Sequence, residues 1–478
     1  MPADSSDLRR LARRVFAETL ADADAGAAVR RAISFGGSGL KIFDDEFDAR
    51  GPRLDVYAVA LGKAAGAMAV ALDEILGDHL REGVLTSPPL LAPLPARWRA
   101  FEGGHPLPNS ASLDAARAAF DLLRRAEEGA AARASAAGGA RTLVVFLVSG
   151  GGSAMMELPR DARVSLAELR ATNHALVTCG AGIAEINAVR RAVSAVKGGG
   201  LGRAAAHAAQ VTLVVSDVGD AEGRGVASGP TFPCDEERDA LDARSVVQRY
   251  DLAARLPPSV LRALARPRGH DALSKAAAAD AAATGAGVLR RHYVLLDNER
   301  AVGRAAEIAR GLGFEVETAH ELSEQNVAEG APLLVSRLLD LRRRVGGGRG
   351  ACVVSGGEFA CPVRGEGVGG RNSETVLRCA LELDARAKEL DAHPPASSGG
   401  GPRLVALSAG TDGVDGNSPA AGALCDETTV RRARSLGLDA RAYLERSDAY
   451  TFFDALGDAI TTGATGTNVR DLRILLAT

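Results

Sequence analysis

Aromatic residues make up only 4% of this 478-residue chain, with a single tryptophan. Hydrophobic residues still reach 46%, so the cores must be built from Leu, Val and Ala. Cys179, Cys234, Cys352, Cys361, Cys379 and Cys425 include no C-x-x-C pair. That spacing argues against a structural zinc site and for reduced, buried thiols, with Cys352 and Cys361 placed to approach across a hairpin. No run of about 18 apolar residues exists, so no membrane helix is expected. The formal net charge of −3 supplies no global field for nucleic acid or an anionic membrane, and Arg342–Arg344 reads as a solvated helix face. No signal-type apolar segment opens the chain. Leu8–Phe16 is arginine-rich and amphipathic, but Asp4, Asp7, Glu18 and Asp22 flank it. We read it as the first helix of a cytoplasmic protein, not an import signal. No solenoid-length repeat is visible.

What the chain does have is length for two or more domains and five polar, glycine-containing strand ends. The most informative is Ser149-Gly-Gly-Gly-Ser153, which follows the apolar run Leu143–Val148, long enough for one buried parallel strand. Glycines there let backbone N–H groups converge on an anion, because no Cβ blocks the approach. The design recurs at Ser355-Gly-Gly-Glu358 and at Ser408-Ala-Gly-Thr-Asp412. Lys63 and Asp217 stand just after two further strands, at 56–61 and 211–216. Strands alternating with helices, at 64–76, from 112 to about 128 and across 165–196, predict an α/β fold with a wound parallel sheet. Strands are also expected at 292–296, 314–318, 351–355 and 404–408, and helices at 299–311, 324–343 and 375–390. Residues 264–287 read as a helix plus a connection between two domains. Loops are expected at 129–140, 346–350 and 394–402.

Several positions carry chemistry. Lys63 follows a strand at a helix N-terminus, where helix amides and an ammonium can share one phosphate; the alternative is a surface lysine at a turn. Asn187, Arg190, Ser194 and Lys197 step by three or four along an expected helix and share a face, with Ile186, Val189, Val193 and Val196 toward the core. Lys197 would sit in the last helical turn. Two cations beside Asn and Ser favour a carboxylate or phosphate site over a merely solvated face. Asp217, Asp220, Asp412 and Asp415 pair around two tight turns and are candidate Mg²⁺ ligands, although Asp and Gly are also the commonest turn residues. Gly365-Glu-Gly-Val-Gly-Gly370 fits G-x-G-x-x-G, but Phe359–Arg364, with Pro362, is a poor preceding strand, so no dinucleotide site is expected. Arg371 behind that loop can clamp phosphate.

In order along the chain, Leu61-Gly-Lys-Ala-Ala-Gly66, Gly104-His-Pro-Leu-Pro108, Ser149–Ala154, Glu185-Ile-Asn187, Lys197-Gly-Gly199, Ser216-Asp-Val-Gly-Asp220, Ala227-Ser-Gly-Pro-Thr231, Ser355–Glu358, Gly369-Gly-Arg-Asn372, Gly410–Gly416 and Gly466-Thr-Asn-Val469 resemble the glycerate kinase family with a C-terminal MOFRL domain. The resemblance spans nearly the whole chain. It implies an N-terminal glycerate kinase α/β domain over 1–260 and a MOFRL-type α/β domain over 290–478. Each would carry a wound, mainly parallel sheet flanked by helices, with the active site in the interdomain cleft. It implies ATP-dependent phosphorylation of D-glycerate to 2-phosphoglycerate with a divalent cation, and Lys63, Asp217 and Arg371 as the catalytic residues. Local departures are Asn109 in place of an acid, Ser373 in place of Gln, Phe359-Ala-Cys361 in place of small hydroxyl residues, and Ala464 in place of a proline.

The expected constellation is therefore as follows. Ser149, Gly150, Gly151, Gly152 and Ser153, with Ser355, Gly356, Gly357 and Glu358, would bind phosphate or nucleotide. Asn187, Arg190 and Lys197 would bind the acceptor, and Mg²⁺ would lie on some of Asp217, Asp220, Asp412 and Asp415. The partners are ATP and a small acid, with no nucleic acid and no membrane, in a monomer or homodimer. Two alternatives are a nicotinamide-dependent hydroxypyruvate reductase and a non-catalytic phosphosugar-binding regulator.

Overall fold

In the computed structural model the polar strand ends sit where two sheets stop. Described are residues 6–37, 39–48, 54–90, 93–134, 142–219, 223–232, 242–266, 288–346, 349–386 and 404–478. The readings at 394–402 and Asp220, and nearly all of 264–287, fall outside them. Contacts divide the chain into two units. One holds Ala25–Ser216 and Asp220–Leu295, the other Met1–Asp24, Asp217–Gly219 and Leu296–Thr478.

The first unit opens with a small antiparallel sheet, β1 (Ile33–Gly36), β2 (Gly39–Ile42) and β3 (Asp45–Asp48), that the sequence reading did not anticipate. Its main sheet is built from β4 (Asp55–Leu61), β5 (Leu80–Thr86), β6 (Trp98–Phe101), β7 (Thr142–Ser149), β8 (Ala209–Val215) and β9 (Arg290–Leu296). The spatial order is β6-β5-β4-β7-β8-β9. The pairs β4–β5, β5–β6, β4–β7 and β7–β8 are all parallel. All eight residues of β7 are buried, as a strand covered on both faces requires. From β4 the chain winds one way to β6, then returns to place β7 on the other side of β4. The carboxyl ends of β4 and β7 therefore flank a topological switch point, where open α/β sheets bind ligands.

The second unit carries β10 (Phe314–Thr318), β11 (Gly350–Gly357), β12 (Leu404–Gly410), β13 (Gly422–Asp426), β14 (Ala459–Ile460) and β15 (Asp471–Ala477). Their order is β10-β11-β15-β12-β13-β14. Here the expectation of a mainly parallel sheet needs correcting. Only β10–β11 is parallel, and the other four pairs are antiparallel. The reasons are local. The short 411–421 connection returns β13 beside β12, which a parallel crossover cannot do, and the last strand inserts between β11 and β12 against both. The α/β class itself holds.

Both faces of this sheet are covered. Ala351, Val353 and Leu475 pack toward Leu334, Leu338, Val376 and Phe452 on one side. Cys352, Val354, Ile474 and Leu476 alternate to the other side, against Val302, Ala305 and Ala309. That second layer includes Leu8, Leu11, Val15 and Phe16. The first helix, Ser6–Asp22, thus belongs to the unit formed mainly by the C-terminal residues. Arg9 secures it with ion pairs to Asp426 and Asp458, whose side chains are almost fully buried. No helix among the described residues is long and apolar enough to cross a membrane.

The helices expected across 165–196 are Leu166–Val177 and Ile183–Val193. The helix expected from Thr375 begins at Arg371. Cys179, Cys352, Cys361, Cys379 and Cys425 are free thiols.

Burial alone would raise the Asp426 carboxyl, but hydrogen bonds from Thr428 and Arg9 outweigh it and hold it below its ordinary value. The stabilisation from a depressed carboxylate is complete above its unfolded pKa and is lost as pH falls through its folded pKa. Arg9→Met should therefore cost about 2 kcal/mol in urea unfolding at neutral pH, less than a fully buried pair because Arg9 is partly exposed. It should also weaken the dependence of stability on acidification. A change too small to measure would mean that the first helix is held by its apolar face alone.

Candidate functional site

At the switch point, three backbone facts set the geometry. The Gly62 N–H donates to the Thr86 carbonyl at 3.1 Å, and the Lys63 N–H to the Gly150 carbonyl at 2.8 Å. The Ala64 N–H donates to the Ser149 hydroxyl at 3.0 Å. Gly62 has φ of 119°, and a Cβ there would lie 2.4 Å from the Ser149 carbonyl oxygen. Only glycine permits this approach. Ser149 is fully buried, so its hydroxyl ties β7 to the turn after β4. Gly151, at φ 83°, has the side chains of Lys63 and His105 within 3.2 Å of where its Cβ would stand. Lys63, His105 and the 150–153 turn therefore converge. His105 lay within a quoted motif, but its side chain was not singled out.

Beside this turn lies a strained segment. Ala227, Ser228 and Gly229 take φ of 50°, 60° and 66° in succession. Left-handed geometry costs a non-glycine residue roughly 1–2 kcal/mol, so surrounding contacts must hold it in place. They do: the Ser228 and Gly229 carbonyls accept from Gly198 N at 3.1 Å and Gly199 N at 2.7 Å. The Ser228 hydroxyl donates to Asn187 Oδ1 at 3.0 Å and lies 3.0 Å from the Ser153 hydroxyl.

The four residues expected on one helix face separate. Asn187 and Arg190 lie on Ile183–Val193, but the helix ends there. Ser194 turns extended, and its hydroxyl accepts from the Val196 and Lys197 amides while donating to Glu157 at 2.6 Å. Lys197 is then fully buried and its ammonium bonds to Glu157. Burial lowers the Lys197 pKa, opposed by Glu157. Arg190 donates through Nε to Asn173 Oδ1 at 2.9 Å, and burial lowers its pKa while Glu157 opposes. One carboxylate thus faces two cations, leaving an excess positive charge in a largely buried setting. Glu157 and Asn173 were missed. Glu157 lies just past the glycine turn, and a carboxylate within that apolar stretch was the available signal.

In the other unit, Arg371 opens the Arg371–Ala385 helix. Its Nε bonds to Asp471 at 2.6 Å, and its Nη2 bonds to Glu358 at 2.7 Å and to Asp471 at 3.2 Å. Burial works against its charge, but Asp471 and Glu358 outweigh it and raise its pKa. Burial raises the Glu358 pKa against the pull of Arg371. Arg371 also borders a cavity of about 370 Å³, lined by Phe359, Gly369, Gly370, Glu374 and Asn417 among others.

The expected cradle at 355–357 has a structural explanation. A Cβ on Gly356 would meet Asn298 Oδ1 at 2.0 Å, and one on Gly357 would meet the Ser323 carbonyl oxygen at 2.4 Å. These glycines clear the chain's own atoms. The Ser355 hydroxyl is buried, donating to the Leu322 carbonyl at 2.7 Å and accepting from Arg473 Nη1 at 2.8 Å. Arg473 is fully buried, stacks 3.6 Å over the Phe359 ring and bonds to the Gly356 carbonyl. Burial lowers its pKa to about 10. Sequence reasoning missed it. An arginine at a core-facing position of an apolar strand was the signal.

The aspartates also divide. Asp415 is buried, and its oxygens accept from Asn372 N at 2.9 Å, Ser373 N at 2.8 Å and the Ser373 hydroxyl at 2.6 Å. It caps the helix that Arg371 opens, and these three bonds engage most of its lone pairs. Asp412 accepts from Val414 N at 3.1 Å in a turn. Asp217 falls in the same unit as Asp412. Among the described residues, no group of three or more His, Cys, Asp or Glu side chains is placed to hold a metal ion. Mg²⁺ needs only one or two carboxylates when phosphates supply the rest.

The first unit thus has the architecture of a doubly wound α/β enzyme, with Lys63, His105 and a glycine turn gathered at its switch point. Residues 11–265 match the family described as "Domain of unknown function (DUF4147)", and residues 351–471 match the MOFRL family. A Homo sapiens protein named glycerate kinase is 34% identical, with 99% of this chain and 94% of that one covered. The D-glycerate 2-kinase of Thermotoga maritima is 31% identical over 88% and 90%. An Agrobacterium vitis protein provisionally named a hydroxypyruvate reductase is 35% identical over 87% and 98%. A Thermotoga maritima glycerate kinase crystal structure superposes with a TM-score of 0.76 at 28% identity, covering 99% of this chain and 100% of that one. The chain is an enzyme of the glycerate kinase family with a C-terminal MOFRL region.

Breaking one side of the buried Glu157–Lys197 pair strands the other. Glu157→Leu should cost about 3–5 kcal/mol in urea unfolding. Adding Lys197→Met should recover most of that loss. A single substitution costing under about 1 kcal/mol would show that water reaches the pair.

Proposed function

We propose that this protein transfers the γ-phosphoryl group of ATP to the 2-hydroxyl of D-glycerate. The observation that carries the reading is the convergence of Lys63, His105 and the 150–153 turn at the switch point of a parallel sheet. A cation and small residues gathered there suit a phosphorylated ligand or transition state, and the names of the relatives supply the substrate. The 2-position rests on the name of the Thermotoga relative, not on any distance.

The acceptor oxygen forms a bond to γ-phosphorus as the bond to the β–γ bridging oxygen breaks, leaving ADP. The hydroxyl proton goes to Asp217. Lys63 and Arg371 balance the charge on the transferring group, and Arg190 pairs with the glycerate carboxylate. Lys197 is less suited to that last role, since Glu157 already neutralises it. Mg²⁺, when bound on Asp412, would supply charge neutralisation at the phosphate oxygens.

Hydroxypyruvate reduction is the second reading, favoured only by the Agrobacterium relative's name. It requires a helix N-terminus open to a pyrophosphate behind Gly365–Gly370. Asp415 already fills that position, on the amides of Asn372 and Ser373. With D-glycerate and ATP the purified protein should form ADP, and with hydroxypyruvate it should not oxidise NADH. The reverse result would overturn the kinase reading. Enolase coupling without a mutase should detect product directly; signal only after mutase is added would place transfer on the 3-hydroxyl.

Lys63→Ala and Arg371→Ala should each lower kcat by roughly 10²-fold, the scale of losing a transition-state donor. For Lys63 the loss should come with little change in Tm. Arg371 also neutralises the buried Asp471, so Arg371→Lys is the better comparison there. Near-normal kcat with a much lower Tm would make either residue structural. Loss of ATP affinity with kcat intact would make it a ground-state contact.

A further inference from the structure

The hydrogen-bond direction around Ser228 has a consequence for the acceptor. A serine hydroxyl has one proton. Ser228 spends it on Asn187 Oδ1, so in the 3.0 Å contact with Ser153 it must accept. Ser153 therefore donates to Ser228, which donates to Asn187. The chain ends on the amide oxygen, which fixes the opposite edge of Asn187 as an NH₂ donor. Among the described residues, Asn187 Nδ2 has no hydrogen-bond partner, and neither do the Nη atoms of Arg190. Asn187 and Arg190 are three residues apart on one helix, so their side chains are neighbours. Both present donors only. A carboxylate, which only accepts and is opposite in charge to Arg190, is the complementary group; a neutral polyol brings no charge and adds O–H donors that this face cannot accept.

The backbone supports this reading. Ser228 is nearly fully buried in the left-handed segment, where its Cβ carries a conformational cost that glycine would avoid. Glycine could take the same backbone but would remove the hydroxyl.

We propose that Ser228 is a positioning residue. Its constrained hydroxyl orients the Asn187 amide so that Asn187 and Arg190 together read the carboxylate of a 2-hydroxy acid acceptor. This rests on the acceptor reading given above, and the experiment separates the two.

Binding of D-glycerate and of glycerol to the full-length protein is measured by calorimetry for the parent, Ser228→Gly and Asn187→Asp, alongside Tm and ADP formation. The parent should bind glycerate and not glycerol. Ser228→Gly should keep or raise Tm yet weaken glycerate binding about tenfold or more, a pairing that a merely structural role would not produce. Asn187→Asp keeps an acceptor for Ser228 but replaces the donor with an anion, and should weaken binding further, with the KM for ATP unchanged in both variants. Parent-like glycerate affinity in Asn187→Asp, or in a folded Ser228→Gly, would overturn the proposal. So would glycerol binding as tight as glycerate. If Ser228→Gly loses Tm, Asn187→Asp alone decides. Variant-sensitive glycerate binding without ADP formation would sink the kinase reading and leave this one standing. ADP formation with unaltered variants would do the reverse.

Discussion

Gly62 follows β4 and Ser149 ends the adjacent parallel β7, and a Cβ on Gly62 would lie 2.4 Å from the Ser149 carbonyl oxygen. That closeness lets the Ser149 hydroxyl reach the Ala64 amide and the Gly150 carbonyl take the Lys63 amide. The two strand ends are thus joined by their own backbone before any ligand arrives. Lys63 inherits its position from this junction. So does the 150–153 turn, whose Ser153 contacts the hydroxyl of Ser228. Any side chain at 62 would separate the strand ends and move the cation, the turn and the hydroxyl together.

Charge follows a different rule in each unit. In the first, Glu157 serves Lys197 by a buried ion pair and opposes the desolvation of Arg190 at longer range. The carboxylate makes burying two cations tolerable without cancelling both, which is what an anion site needs. In the second, Arg371 is held by Asp471 and Glu358, so its charge is shared before a ligand binds. Glu358 is only half-buried, and desolvation raises its pKa against the pull of Arg371.

Much of the fold was legible in the sequence because buried strands announce themselves as apolar runs. The stretch 314–318 is β10 as expected, and 143–148 lies within β7. Direction was not legible. An apolar run looks the same in either sense, so the antiparallel insertion of β15 between β11 and β12 left no trace in periodicity. Helix ends also depended on distant residues. Ser194 leaves helical geometry where its hydroxyl bonds Glu157, and the Arg371 helix starts early because Asp415, 43 residues beyond Asn372, caps it. For the site, glycine-rich strand ends were visible but their purposes were not. Gly151 faces Lys63 and His105, whereas Gly356 and Gly357 face Asn298 and Ser323. Glycine required by a ligand and glycine required by the chain's own packing read identically until the neighbouring atoms are known.

The same ambiguity explains why Arg371 is better regarded as a preorganised group than a free one. Asp471 takes two of its nitrogens and also accepts from Asn372 Nδ2 at 2.9 Å, while Asn372 Oδ1 accepts from the Ser408 hydroxyl at 2.6 Å. Through these bonds the guanidinium is tied to the ends of β12 and β15 and to the helix it opens. An arginine left mobile on the surface would lose side-chain entropy on meeting a phosphate. Here much of that ordering has occurred on folding, so a charge developing nearby would meet a donor already in place, and little reorganisation would be left to the reaction step.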